Sequence, residues 1–166
     1  MTGPRRLSLA ISDGDGISVI VKVSGPEDAR RAEAAGAEAL LAQDDAVASI
    51  REATSLPIVG FAGLAGDACI VAAGDEDVVD LGEDVELVVR VESEEELEEA
   101  LERLDPELII LAGPPEGDAG LEHVLDLLSD LPAGKLAIAD LWHVTQPEID
   151  ELERAGIDAV LVRELP

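Results

Sequence analysis

Through the last third of the chain, apolar and polar positions switch between two spacings with almost no slack. Leu136-Ala-Ile-Ala-Asp140 is a short apolar run, and Thr145-Gln-Pro-Glu148 then opens a helical spacing. Thr145 is placed to cap that helix, Pro147 sits in its first turn among acids, and Ile149 and Leu152 recur on one face. Gly156 ends it, because a helix C-terminus often needs a left-handed residue. Ile157-Asp-Ala-Val-Leu-Val162 is the next apolar run. The pattern predicts one βαβ unit, two parallel strands joined by a helix outside the sheet.

The same unit recurs upstream. Leu7 to Ser12 is a short apolar stretch that ends in the turn signal Asp13-Gly-Asp-Gly16, which lacks the further acids of an EF-hand. Ile17 to Val23 reads as a strand, and Gly25-Pro-Glu-Asp28 starts a helix that ends at Gly36. Ala37 to Ala42 is a strand, a helix capped by Asp44 or Asp45 runs through Ala53, and Leu56 to Gly60 is a third strand. The spacing then changes. Gly63 to Asp67 leaves no room for a helix of normal length before the strand Ala68 to Ala73. An acidic connection, Asp75 to Asp84, follows, with at most one helical turn at Val78-Val79. Regularity resumes with strand Val85 to Val91, helix Ser93 to Leu104, strand Leu108 to Leu111 and helix Leu121 to Leu131. Ser93 and Glu96 have the spacing of a capping box.

Eight strands, mostly followed by helices, predict a minimal (β/α)8 TIM barrel with shortened crossovers after its third and fourth strands. An open, doubly wound sheet is the alternative. Ser24-Gly-Pro-Glu27 after the first strand lacks the glycine spacing and the lysine of a phosphate loop.

Composition narrows the picture. The 166 residues suit a single domain, with 1–16 as an N-terminal extension or hairpin. The core must be aliphatic, since Phe61 and Trp142 are the only aromatic residues. A formal net charge of −27 excludes binding to nucleic acid or to anionic membranes, both of which need a basic patch. The abundance of Asp and Glu resembles proteins of a high-salt cytoplasm, and equally an ordinary acidic protein from a GC-rich genome. Cys69 stands alone in an apolar run and reads as a small buried residue rather than a disulfide partner or metal ligand. With neither a leader nor a long apolar span, the expectation is a soluble cytoplasmic protein without a cofactor.

Four stretches resemble the (β/α) barrels of tryptophan biosynthesis, specifically indole-3-glycerol phosphate synthase. Ser18-Val-Ile-Val-Lys-Val23 is similar to that family's first strand, and Ser55-Leu-Pro-Ile-Val59 to its third. Val85 to Leu97 is similar to its fifth strand and following helix, and Gly156 to Leu165 to its eighth. The resemblance implies a phosphate-binding barrel and carbon–carbon lyase chemistry. The residues that carry this chemistry are replaced here. The family's first-strand Glu and Lys read Lys22 and Ser24, its third-strand lysine reads Phe61, and its fifth-strand glutamate reads Arg90. Its sixth-strand asparagine reads Gly113, and the Ser-Gly of its seventh strand reads Leu141-Trp142. The eighth-strand glycine that approaches the phosphate reads Arg163. Only Asp140 and Glu164 keep an acidic type.

The replacements share a charge. Lys22, Arg90 and Arg163 fall at or near the carboxyl ends of strands, the face on which barrel active sites form. Pointing inward, they make a cationic mouth for a small anionic ligand, with Asp140 and Glu164 among them. The competing expectation is a structural ion network that fills the upper barrel, since buried charges require partners. Catalysis would fall to Asp140 or to His143, beside Trp142, as acid or base. Alternatively, the protein is a structural interaction module. The missing crossovers predict an uncovered apolar flank on the third to fifth strands, Ile70 included, and hence a symmetric homodimer. Leu7 to Ser12 is left three roles: a plug in the barrel bottom, a hairpin partner, or part of that interface.

Overall fold

A computed structural model describes residues 6–12, 16–60, 67–72, 85–113, 120–141 and 144–163. Helix α1 (Arg6–Ser12) precedes strand β1 (Ser18–Lys22), which is followed by α2 (Pro26–Ala34) and β2 (Ala39–Leu41). A 3₁₀ turn at Asp44–Ala46 leads into α3 (Val47–Ala53), then β3 (Ile58–Gly60) and β4 (Ala68–Ala72). The chain continues through β5 (Glu86–Val91), α4 (Glu94–Arg103), β6 (Leu108–Ala112), α5 (Gly120–Ser129), β7 (Leu136–Asp140), α6 (Gln146–Ala155) and β8 (Ala159–Val162). All eight strands are parallel, and β8 pairs with β1 to close the barrel. The expected minimal α/β barrel is the observed fold, and the open sheet is excluded. The two shortened crossovers fall on 61–66 and 73–84, outside the described residues, as does most of the Asp13–Gly16 turn.

Local chemistry accounts for the helix ends. Ser93 Oγ accepts from the Glu96 N–H at 3.2 Å, while the Glu96 carboxylate accepts from Glu92 N, one residue before the expected capping-box partner. At α6, Glu148 Oε1 accepts from both the Thr145 N–H and its hydroxyl, at 3.1 and 2.8 Å. Gly156 takes a left-handed φ of 107°, as a C-cap glycine does.

The register explains how the interior fills. Carried around the ladders, it returns displaced by roughly 8 residues, the stagger on which such barrels close. Alternate strands therefore contribute to alternate layers. Ala39, Ala68, Leu108 and Ala159 form the lowest layer, Ile20, Val59, Val88 and Ile138 the next, and Leu41, Ile70, Ile110 and Leu161 the third. Three alanines leave the lowest layer underfilled, and α1 fills it. Leu7 is fully buried and Ile11 nearly so, both within this inner cluster. Glu86, at the amino end of β5, accepts from Leu7 N and Ser8 N at 2.8 and 3.1 Å. Of the three roles open to Leu7–Ser12, the plug is the one adopted.

Ile70 corrects one expectation. It belongs to the third interior layer and so adds nothing to an outer apolar patch. On β4 the alternate residues Cys69 and Val71 point the other way, with Cys69 buried as expected. A second cluster between the strands and the helices is likewise aliphatic, centred on Leu40, Ile50, Ile58, Leu97, Leu111, Leu127 and Leu152. No helix among the described residues is long and apolar enough to cross a membrane.

Candidate functional site

Above the third apolar layer, the odd strands place Lys22, Arg90 and Asp140 at the next inward positions, and Arg163 follows directly after β8. Position 61, which follows β3, lies outside the described residues. Charge is tolerated at this level because the layer opens to water at the carboxyl-end mouth. Lys22, Arg90, Asp140 and Arg163 together ring a cavity of about 150 Å³. Its floor is the apolar layer Leu41, Ile70, Ile110 and Leu161. Sequence reasoning located the rim but missed the floor, because floor membership depends on which alternate residues face inward. Beneath it lies a void of about 10 Å³ lined by apolar side chains, too small to extend the site below the floor.

Asp140 is the buried member, with its side chain 8% exposed. Arg90 Nη2 lies 3.5 Å from Asp140 Oδ2, and Arg163 Nη1 lies 3.7 Å from Oδ1. Both guanidinium groups are about a third exposed, and both have other partners. Arg90 Nη1 donates to Glu92 Oε1 at 2.7 Å, and Arg163 Nη1 donates to the Leu141 carbonyl at 3.3 Å. Lys22 makes no ion pair among the described residues and keeps an exposed side chain. Part of the expected ion network is therefore present around Asp140, while the lysine stands apart from it.

His143 and Glu164, the remaining candidates, lie outside the described residues, as do Phe61 and Trp142. The described histidine, His123, is on α5, with Nε2 2.6 Å from the carbonyl oxygen of Glu92. Among the described residues no group of three or more His, Cys, Asp or Glu side chains comes together to hold a metal ion.

Two replaced positions have local explanations. A Cβ on Gly113 would lie 2.9 Å from the Gly120 Cα, so the close start of α5 admits only glycine without a backbone shift. Ser24, at the mouth just after β1, is occupied by Asp28. Its hydroxyl donates to Asp28 Oδ2, its N–H donates to the same oxygen at 3.2 Å, and Arg31 pairs with the other oxygen. The Ser24 hydroxyl and then its N–H hold the Asp28 pKa below the ordinary carboxylate value, with Arg31 a smaller influence in the same direction. The stability contributed by this group is therefore present above the unfolded pKa and is lost as pH falls through the lowered folded value. Ser24→Ala is expected to raise the Asp28 pKa toward that of a free aspartate, which a carboxyl-carbon NMR titration would register. An unchanged titration would assign the depression to Arg31 instead.

The fold has solved counterparts. N-acetylmannosamine-6-phosphate 2-epimerase from Clostridium perfringens superposes with a TM-score of 0.70 at 17% identity, over 88% of this chain and 86% of that one. The chain is a (β/α)8 barrel. Phosphoenolpyruvate phosphomutase from Streptomyces platensis subsp. rosaceus matches with a TM-score of 0.72 at 15% identity, covering 96% of this chain and 80% of the other. Oxaloacetate acetylhydrolase matches at 0.66 and 14%, covering 97% and 80%. At such identities the (β/α)8 architecture is what is shared. No protein-family model matches the sequence, and no curated protein is detectably similar to it.

Proposed function

We propose that this barrel binds a small anion, a phosphate ester or a carboxylate, at its carboxyl-end mouth, without the catalytic set of indole-3-glycerol phosphate synthase. One observation carries this reading. A chain with 11 basic residues against 38 acids converges three of the 11 on one cavity, where only Asp140 offsets them among the described lining residues. The surrounding negative charge repels anions at long range, so recognition depends on contact with these three side chains. Charge-assisted hydrogen bonds are worth roughly 1.5–3 kcal/mol each.

Isothermal titration with inorganic phosphate at low salt tests the proposal. Saturable binding is expected, weakened about tenfold in Lys22→Ala and again in Arg163→Ala. If wild-type protein shows no saturation, or both variants bind as it does, the mouth is not an anion site.

A second reading, a lyase or isomerase acting on a phosphorylated small molecule, has the buried Asp140 carboxylate in its favour as an acid or base. Two of the matching barrels are likewise an epimerase of a sugar phosphate and a phosphomutase.

A further inference from the structure

The Asp140 carboxylate lacks something that buried carboxylates normally have. Its guanidinium contacts, at 3.5 and 3.7 Å, are too long to be hydrogen bonds. Oδ1 is sealed from water and has no hydrogen-bond partner among the described residues. An ionised carboxylate offers about four acceptor sites and no donor, and buried groups left this way are exceptions that call for an explanation. The two arginines are committed elsewhere, Arg90 to Glu92 and Arg163 to the Leu141 carbonyl. Asp140 lines the cavity with its side chain 8% exposed, and with Oδ1 sealed the oxygen it can present there is Oδ2.

These facts constrain any anion held there. A ligand seated among Lys22, Arg90 and Arg163 also faces Asp140, and an anionic oxygen turned toward that carboxylate is repelled by it. An O–H in the same place reverses the sign, because it donates a hydrogen bond to Oδ2, the carboxylate oxygen left open to the cavity. We propose that the ligand is a hydroxylated anion, a hydroxy acid or a hydroxyalkyl phosphate, whose hydroxyl donates to Asp140 while its charged group meets the basic side chains. This rests on the anion-binding reading and narrows it. The apolar floor suits the carbon skeleton, and a cavity of about 150 Å³ has room for about ten water-sized groups, so the ligand is compact. Sites built to hydrogen-bond a hydroxyl reject analogues that lack it, since the polar group is left unpaired.

The test compares matched pairs by isothermal titration at low salt: malate against succinate, and glycerol 3-phosphate against propyl phosphate. Wild-type protein is expected to favour the hydroxylated member of at least one pair by about tenfold or more, and the pair that responds identifies the charged group. Methoxysuccinate keeps the oxygen but cannot donate, and should bind no better than succinate. In Asp140→Leu, checked for native circular dichroism, the preference should vanish while the plain anion still binds. Equal affinities within both pairs, or tight binding of the methoxy analogue where malate is preferred, would overturn the donor assignment and leave anion binding intact. A preference that survives in Asp140→Leu would overturn it as well. Failure of all these anions to bind would instead remove the anion site itself. The wild-type comparisons stand even if the variant does not fold.

Discussion

Asp140→Asn is expected to tighten sulfate binding about tenfold while changing the stability of the barrel by no more than about 1 kcal/mol. Sulfate carries no proton at neutral pH, so in the wild-type mouth it meets three attractive side chains and one repulsive carboxylate. Two unit charges near contact interact by about 4 kcal/mol at an effective dielectric constant of 20, and screening at a half-open mouth leaves a fraction of that. The stability side follows from burial. Arg90 and Arg163 are 35% and 39% exposed, so each can turn to water when its distant partner is removed. The carboxylate itself gives up an environment in which its Oδ1 accepts no hydrogen bond among the described residues. Sulfate titration and urea unfolding of the same preparation measure both quantities. A loss of about 3–5 kcal/mol, the usual consequence of breaking a buried ion pair, would make the charged rim a structural network and Asp140 its keystone.

The second large effect lies at the opposite end of the barrel. Leu7→Ala should cost about 3 kcal/mol, near the middle of the range for fully buried leucines. Helix α1 has seven residues, too few to persist without tertiary support. Its support is specific. Leu7 and Ile11 occupy space left by Ala39, Ala68 and Ala159, and the Glu86 carboxylate accepts from two N–H groups at the start of the helix. At the other end, the Ser18 hydroxyl, itself fully buried, contacts the Ile11 carbonyl at 3.4 Å and donates to Glu38 Oε2 at 2.7 Å. Urea denaturation reads the loss as a lower midpoint, and hydrogen exchange should show the amides of Leu7 and Ser8 losing protection first. A change below about 1 kcal/mol would mean that the barrel bottom holds together without its plug.

The two ends of the barrel were unequally legible from the residues alone. At the mouth, Lys22, Arg90, Asp140 and Arg163 could be grouped because each stands at or near the carboxyl end of an apolar run, where parallel strands in a barrel all finish together. At the bottom, Leu7–Ser12 is apolar and short, which suits a strand, a plug or an interface equally. Nothing local in it mentions Glu86, 78 and 79 positions away. The acids that precede strands were also missed. Asp67 Oδ2 accepts from Ile58 N and Asp158 Oδ2 from Ala137 N, each at 2.9 Å, joining the amino ends of neighbouring strands. Asp67 closes the short connection that begins at Gly63, and Asp158 lies within the apolar run Ile157 to Val162, so neither position marks its partner.

Local pattern by itself determined where the strands and the helices after α1 lie, because capping, glycine placement and apolar period act within a few residues. It also determined the barrel count and the charged character of the strand ends. Tertiary structure alone decided which side of each strand faces inward. Side chains alternate, so a shift of one position exchanges interior for exterior, and in a strand apolar on both faces nothing local chooses between them. Ile70 lies inside rather than on a flank for this reason. Closure of the ladder also decides that Lys22, Arg90 and Asp140 share one layer above the aliphatic floor, since that height is set by a stagger summed over all eight strands.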